Sequence, residues 1–191
     1  METIRITNVR VYGSKESIIA SGYPMRTDLP DSIERLNDIL HEDDTKRANG
    51  LYSTPVGSGH DCFSKGVIVQ FDLTAPEYFW RQLDRYHFID YVSSQSKMHC
   101  LTKFDVDKMM NDQVDPRIVE ILKEKIESEK PFREILSNVP LGFMMTARMT
   151  TNMLQLKNIY MQRENHKLPE WKEFLAFIEQ LSMESDTRET N

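Results

Sequence analysis

Apolar and polar positions alternate from the start of the chain. The run Ile4-Arg5-Ile6-Thr7-Asn8-Val9-Arg10-Val11-Tyr12 is β-branched and close to period two, which predicts an edge strand. A second strand is predicted over Gly66 to Leu73, with Val67, Val69, Phe71 and Leu73 on one face. Elsewhere the apolar spacing is helical. Lys15 to Ala20 reads as a short helix ended by Gly22 and Pro24. Asp31 is placed to cap a helix carrying Ile33, Leu36, Ile39 and Leu40. Ala75-Pro76 opens a helix with an apolar stripe of Tyr78, Phe79, Leu83 and Tyr86. Asp115-Pro116 caps another, running to about Glu129, and Pro131 and Pro140 mark two breaks. Pro140 to Arg163 reads as one long methionine-rich helix. Pro169 begins a last amphipathic helix with Trp171, Phe174, Leu175, Ile178 and Leu181 inward. Gly50 to Gly59 is the most glycine-dense stretch and predicts a loop.

These elements predict an α+β fold, a small antiparallel sheet packed with helices, one of them long and central. At 191 residues one domain is expected, over residues 1–183, with a disordered polar tail over 184–191. No repeat or low-complexity tract interrupts it.

Composition narrows the function. The net charge of -6 and pI of about 5.4 disfavour nucleic-acid binding, which selects a basic surface. A small anion held by a few arginines remains compatible. No apolar run is long enough to span a membrane, and no signal peptide is visible, so a cytoplasmic protein is expected. Cys62 and Cys100 are read as reduced thiols, with no metal-ligand spacing.

The chain has no Gly-rich phosphate loop, no His-Glu-x-x-His, no Cys-x-x-Cys and no Gly-x-Ser-x-Gly. What remains is two polar concentrations. Arg81, Gln82, Arg85 and His87 lie at the end of the helix after the second strand, with Arg81 and Arg85 on one face. Ser93, Ser94, Gln95, Ser96 and Lys97 follow in a polar, irregular stretch that could bed a phosphate or simply be a solvated loop. Asn152, Asn158 and Arg163 stand among Met149, Met153, Leu154, Leu156 and Ile159. Asparagine is a mediocre helix former, so their amides either serve a planar heterocycle or face solvent or a neighbouring subunit.

At these residues the sequence resembles the flavin-dependent thymidylate synthases, the ThyX family. His60-Asp61-Cys62-Phe63, a strand, Ala75-Pro76, Arg81-Gln82 and Arg85 are similar in order to the family's His-Glu-x-Pro-Phe-Glu-His segment, strand, Ala-Pro and Arg-Gln helix. Pro140-Leu141 and the segment after it resemble the family's Leu-Pro-Leu and long helix. Asn152, Asn158 and Arg163 fall at the spacing of family residues that touch flavin and nucleotide, and Trp171 matches a Trp-Glu segment. Ser21 weakly matches a flavin-contacting serine.

The family signature Arg-His-Arg-x-x-Ser-x-Asn-x-x-Ser-x-Arg is degraded. The ungapped register gives Arg85-Tyr86-His87-x-x-Asp90-x-Val92-x-x-Gln95-x-Lys97. A slip of one residue aligns His87 and Ser96 instead, and loses Arg85 and Lys97. Lys65 stands where a flavin-contacting glutamate would be, and Leu136 near a phosphate-binding arginine, with Arg133 one turn away.

The resemblance implies FAD, bound between subunits of a homotetramer, with a pyrimidine nucleotide stacked on it. NADPH and methylenetetrahydrofolate would be co-substrates. It implies His60, Arg85, Tyr86, His87, Asn152 and Asn158 at the flavin. Gln82, Gln95, Ser96, Lys97 and Arg163 would lie at the nucleotide, with Arg163 the catalytic donor to a uracil oxygen. Three functions follow: a divergent thymidylate synthase, an enzyme of the same fold with altered chemistry, or a flavin- or nucleotide-binding protein without catalysis.

Overall fold

The computed structural model describes residues 3–27 and 40–181. The helix expected from Asp31 and the polar tail lie outside the described residues.

Four strands form one antiparallel sheet in the order β1-β2-β4-β3. They are β1 (Arg5–Tyr12), β2 (Ile68–Pro76), β3 (Ile89–Ser94) and β4 (Met144–Asn152). Eight α-helices accompany them among the described residues: α1 (Ser14–Ala20), α2 (Glu42–Tyr52), α3 (Glu77–Leu83), α4 (Lys97–Cys100), α5 (Pro116–Glu127), α6 (Phe132–Ser137), α7 (Met153–Arg163) and α8 (Pro169–Gln180). The α+β class read from the sequence is the class found.

The core sits on one face of the inner strands. On β2, Val69, Phe71, Leu73 and Ala75 are fully buried, and on β4 Met145, Ala147, Met149 and Thr151 face the same way. Register pairs Phe71 with Met149, Leu73 with Ala147 and Ala75 with Met145. Helix α8 closes this face. Its apolar stripe brings Phe174 and Phe177 to 6.0 Å and 5.1 Å from the Phe71 ring, and Trp171 to 4.7 Å from Phe79. Each such aromatic, once buried, contributes on the order of 1.5–3 kcal/mol. The opposite face stays half-exposed and polar. There Arg148 donates to Asp72 at 3.2 Å and to the Asn8 carbonyl at 2.6 Å, and the Thr74 and Thr146 hydroxyls meet at 2.8 Å.

The largest correction concerns Pro140 to Arg163. It is not one long helix but strand β4 running directly into helix α7. Burial alternates strictly along β4, and Thr146, Thr150 and Thr151 supply β-branched side chains at its polar and buried positions. Methionine is compatible with either state and masked that alternation. The Asn152 side chain accepts from the Gln155 N–H at 2.9 Å, which caps α7 and fixes where strand becomes helix.

Three smaller departures bear on the site. Helix α3 ends at Leu83, so Arg85 and His87 lie beyond it, and Arg81 and Arg85 do not share a helix face. Ser93 and Ser94 belong to β3 rather than to an irregular loop. Gly50 lies inside α2, and the loop begins at Ser53, with Gly57 and Gly59 at φ 85° and 81°. The predicted caps hold elsewhere: Asp115 accepts from the Arg117 N–H at 2.9 Å, and Pro169 opens α8.

Candidate functional site

The site begins with a short helix that stops. Pro76 ends β2 in extended conformation and starts α3, whose first free N–H groups donate to the Phe143 and Leu141 carbonyls at 3.2 Å and 3.3 Å. After two turns the chain leaves the helix, closed by Asp84 N–H to the Trp80 carbonyl at 2.8 Å and Tyr86 N–H to the Leu83 carbonyl at 3.0 Å. The turn Arg85-Tyr86-His87-Phe88 then enters β3. Phe88 adopts φ 61°, in the left-handed region, and its carbonyl accepts from the Thr151 hydroxyl at 2.7 Å. Thr151 is the last but one residue of β4, so this bond ties the turn to the place where α7 begins.

Helix α7 supplies the facing wall. Met153, Leu156 and Ile159 point into the core, leaving Gln155, Asn158 and Gln162 on another face at spacings of three and four. Between these amides and the turn lies an open cleft of about 530 Å³, lined by Arg85, Tyr86, His87 and Phe88 on one side and Gln155, Asn158, Gln162 and Arg163 on the other.

Arg163 closes the end of the cleft. Its Nε donates to the Tyr86 hydroxyl at 2.7 Å, and its guanidinium carbon lies 5.3 Å from the Tyr86 ring centre and 4.5 Å from that of Trp171. Trp171 is fully buried and donates from Nε1 to Gln82 Oε1 at 2.8 Å. The terminal nitrogens of Arg163 have no protein partner among the described residues. His166 packs on the same indole, with ring centres 5.8 Å apart, and its Nδ1 accepts from the Leu168 N–H at 3.2 Å. Burial first, and the Arg163 charge second, hold the His166 pKa below its ordinary value.

A lysine pins the loop above α7. The three N–H bonds of Lys157 go to the Tyr52 carbonyl at 2.6 Å, the Thr54 carbonyl at 2.7 Å and Asp61 Oδ2 at 2.5 Å. Asp61 is only 2% exposed. Burial, then the Asp61 charge, pushes the Tyr52 phenol up to about 12. His60 follows on this anchored loop but is exposed and outside the cleft.

Of the residues singled out from the sequence, Arg85, Tyr86, His87, Asn158 and Arg163 come together. Others are committed elsewhere. Asn152 is a helix cap, and Gln82 holds Trp171. Gln95 extends the sheet: its N–H donates to the Thr146 carbonyl at 3.0 Å, and its Oε1 accepts from the Thr146 N–H at 2.9 Å. Ser96 precedes α4, where its carbonyl accepts from the Cys100 N–H at 3.0 Å. Lys97 is ion-paired with Glu77. These last three lie past the far end of β3, about 17 Å along the strand from the turn. Ser21 is buried, its hydroxyl donating to the Ile18 carbonyl at 2.6 Å and accepting from Arg47 Nε at 3.3 Å. Phe88, Gln155 and Gln162 line the cleft and were not singled out. The spacing of Gln155, Asn158 and Gln162, opposite Met153, Leu156 and Ile159, was the available signal.

The donor set suits a planar heterocycle that carries phosphate: aromatic faces from Tyr86 and Phe88, amides from Asn158, Gln155 and Gln162, and two guanidinium groups. Among the described residues no group of three or more His, Cys, Asp or Glu is placed to hold a metal, and no helix is long and apolar enough to cross a membrane.

No family model matches the sequence, and no curated protein matches it. Solved structures do. A flavin-dependent thymidylate synthase ThyX from Helicobacter pylori, complexed with FAD and dUMP, aligns with a TM-score of 0.69 at 12% identity, over 92% of this chain and 94% of that one. A second structure of Helicobacter pylori ThyX with FAD and dUMP gives a TM-score of 0.70 at 14% identity, over 95% and 94%. At such identities the likeness is one of fold, and it is nearly complete in both directions: this chain has the fold of the ThyX thymidylate synthases.

Proposed function

We propose that the protein is a divergent flavin-dependent thymidylate synthase-like enzyme. It would bind FAD and transfer a one-carbon unit to carbon 5 of a pyrimidine nucleotide such as dUMP. The observation that carries this reading is the cleft between the Arg85–Phe88 turn and α7, which gathers aromatic faces, amides and two arginines on the fold of proteins solved with FAD and dUMP.

Arg85, Tyr86, His87 and Asn158 would hold the flavin, with Phe88, Gln155 and Gln162 beside them. Asn152 would act through the angle at which it starts α7. When bound, FAD supplies the redox chemistry of methyl formation, with NADPH and methylenetetrahydrofolate as co-substrates. Arg163 would polarise a uracil oxygen. Tyr86 engages its Nε and Trp171 stacks on it, which leaves its terminal N–H groups to a ligand already oriented. Gln82 fixes that orientation through Trp171. Gln95, Ser96 and Lys97 reach a nucleotide in this cleft only from another copy of the chain, so the reading includes a homo-oligomer, a tetramer by analogy with the family.

The Lys97–Glu77 pair favours a second reading. A lysine already neutralised is a poor phosphate ligand, which suits a flavin- or nucleotide-binding protein of the same fold with altered or lost catalysis. Absorbance of the purified protein, before and after incubation with FAD, tests both. Protein that stays colourless and takes up no FAD overturns both. Bound flavin, with tritium release from carbon-5-labelled dUMP when NADPH and methylenetetrahydrofolate are present, supports the enzyme. Bound flavin without release supports the second reading.

A further inference from the structure

Gln155 is the third residue of α7 and lines the cleft that faces the Arg85–Phe88 turn. It is only 9% exposed, yet its side-chain amide makes no hydrogen bond within the described residues. Its backbone N–H goes to Asn152, so the cap asks nothing of the side chain. The unpartnered side-chain atoms sealed from solvent, among the described residues, are Thr3 Oγ1, Ser14 Oγ and Glu170 Oε2. The Gln155 Oε1 and Nε2 are not of that set. Both therefore keep accessible surface, and the space they open on is the cleft. A glutamine this buried gives up most of its water, and folding returns no bond for it. Met153 and Leu156, beside it on α7, show side chains that fill such space without that cost.

We infer that Gln155 reads the imide edge of the ring that fills the cleft, an N–H flanked by two carbonyls. A primary amide carries an acceptor and a donor side by side. Oε1 accepts from the ring N–H while Nε2 donates to the carbonyl next to it, two parallel bonds on one edge. The Asn158 amide, three residues on and on the same helix face, donates to the second carbonyl. An ionised carboxylate has no donor for this task and an ammonium no acceptor. The isoalloxazine of a flavin and the ring of uracil both present such an edge. Arg163 lies eight residues on, about 12 Å along the helix axis, so it and Gln155 meet different ends of the occupant. With a uracil at Arg163, as proposed above, the edge at Gln155 is the flavin's. The inference rests on that reading only for this choice of ring.

The test is calorimetric titration of the full-length protein with FAD and 3-methyl-FAD, and with dUMP and 3-methyl-dUMP, the methyl replacing the hydrogen of the ring N–H. The wild type should bind one unmethylated ring about tenfold or more tighter than its methylated form, the scale of two lost hydrogen bonds. Discrimination in the FAD pair assigns the edge to the flavin, and discrimination in the dUMP pair alone assigns it to the uracil. Gln155→Ala makes room for the methyl and should reduce the preference to about threefold or less. Gln155→Met should weaken the unmethylated ring about tenfold while the melting temperature of the free protein holds or rises, since no protein bond is lost. Should one variant fail to fold, the other carries the test. A ring bound by the wild type without regard to the methyl overturns the role of Gln155 and leaves the proposed function standing. So does a preference kept in Gln155→Ala, or an affinity unmoved in Gln155→Met. Failure of the wild type to bind either ring overturns both.

Discussion

The guanidinium of Arg163 lies 4.5 Å from the centre of the Trp171 indole, and that indole is held in turn by Gln82. One cation on α7 is therefore aimed by a tryptophan on α8 and a glutamine on α3. Arg163→Ala removes two ring contacts and one hydrogen bond and should cost about 1–2 kcal/mol. Nucleotide binding should disappear. Urea unfolding and a binding titration on the same preparation check this; unchanged binding would remove Arg163 from the site.

Lys157 presents a different balance. Lys157→Met strands the buried Asp61 carboxylate and two carbonyls, and a loss of about 3–5 kcal/mol is expected. Lys157→Met combined with Asp61→Asn should recover part of it, since the unpaired charge is then gone. Equal losses in the single and double variants would show that the lysine acts only through the Tyr52 and Thr54 carbonyls.

Phe88 combines a left-handed backbone with a side chain that is 71% exposed. Phe88→Gly should raise stability by up to about 1 kcal/mol, because glycine takes this conformation without the Cβ clash. Flavin affinity should fall at the same time. A lower melting temperature would instead mean that the ring packs usefully.

Asn152→Ala should cost about 1 kcal/mol through the lost cap, while Asn152→Asp should be nearly neutral. If Asn152 contacted flavin directly, aspartate would weaken flavin binding as strongly as alanine does.

His166 gives a pH dependence. Its folded pKa is depressed, so in the window below about 6.5 the unfolded chain binds a proton that the native chain does not. Its contribution is complete above that window and is lost as pH falls through it. Calorimetry across the window should show a melting temperature that rises with pH, with a smaller slope in His166→Gln. Equal slopes would assign the dependence to other groups.

What the sequence revealed follows from burial. Strand β2 was legible because Val69, Phe71 and Leu73 alternate with polar residues, and α8 because Trp171, Phe174 and Ile178 repeat at helical spacing. Strand β3 was not, since only Ile89 of its six residues is buried and an exposed edge writes no alternation. Strand β4 was misread because methionine fits a sheet and a helix alike. In the site, the cationic and aromatic members were visible by type. The amides were not separable, because Asn152, Gln82 and Gln95 use the same chemistry on backbone and indole that Asn158 has free for the cleft.

The junction at Asn152 has a bearing on how this chain can vary. Strand and helix meet there with no linker to absorb a change in length. One residue inserted into the first turn of α7 rotates everything after it by about 100°, turning the Gln155, Asn158 and Gln162 face away from Arg85. One residue inserted in β4 sends its core side chains to the opposite face. Insertions and deletions should therefore be absent from the span 144–163 in any working variant, while the loop 55–60, between the anchors at Thr54 and Asp61, accepts them. A library with single-codon insertions, scored for folded protein and for cleft binding, would show that boundary directly.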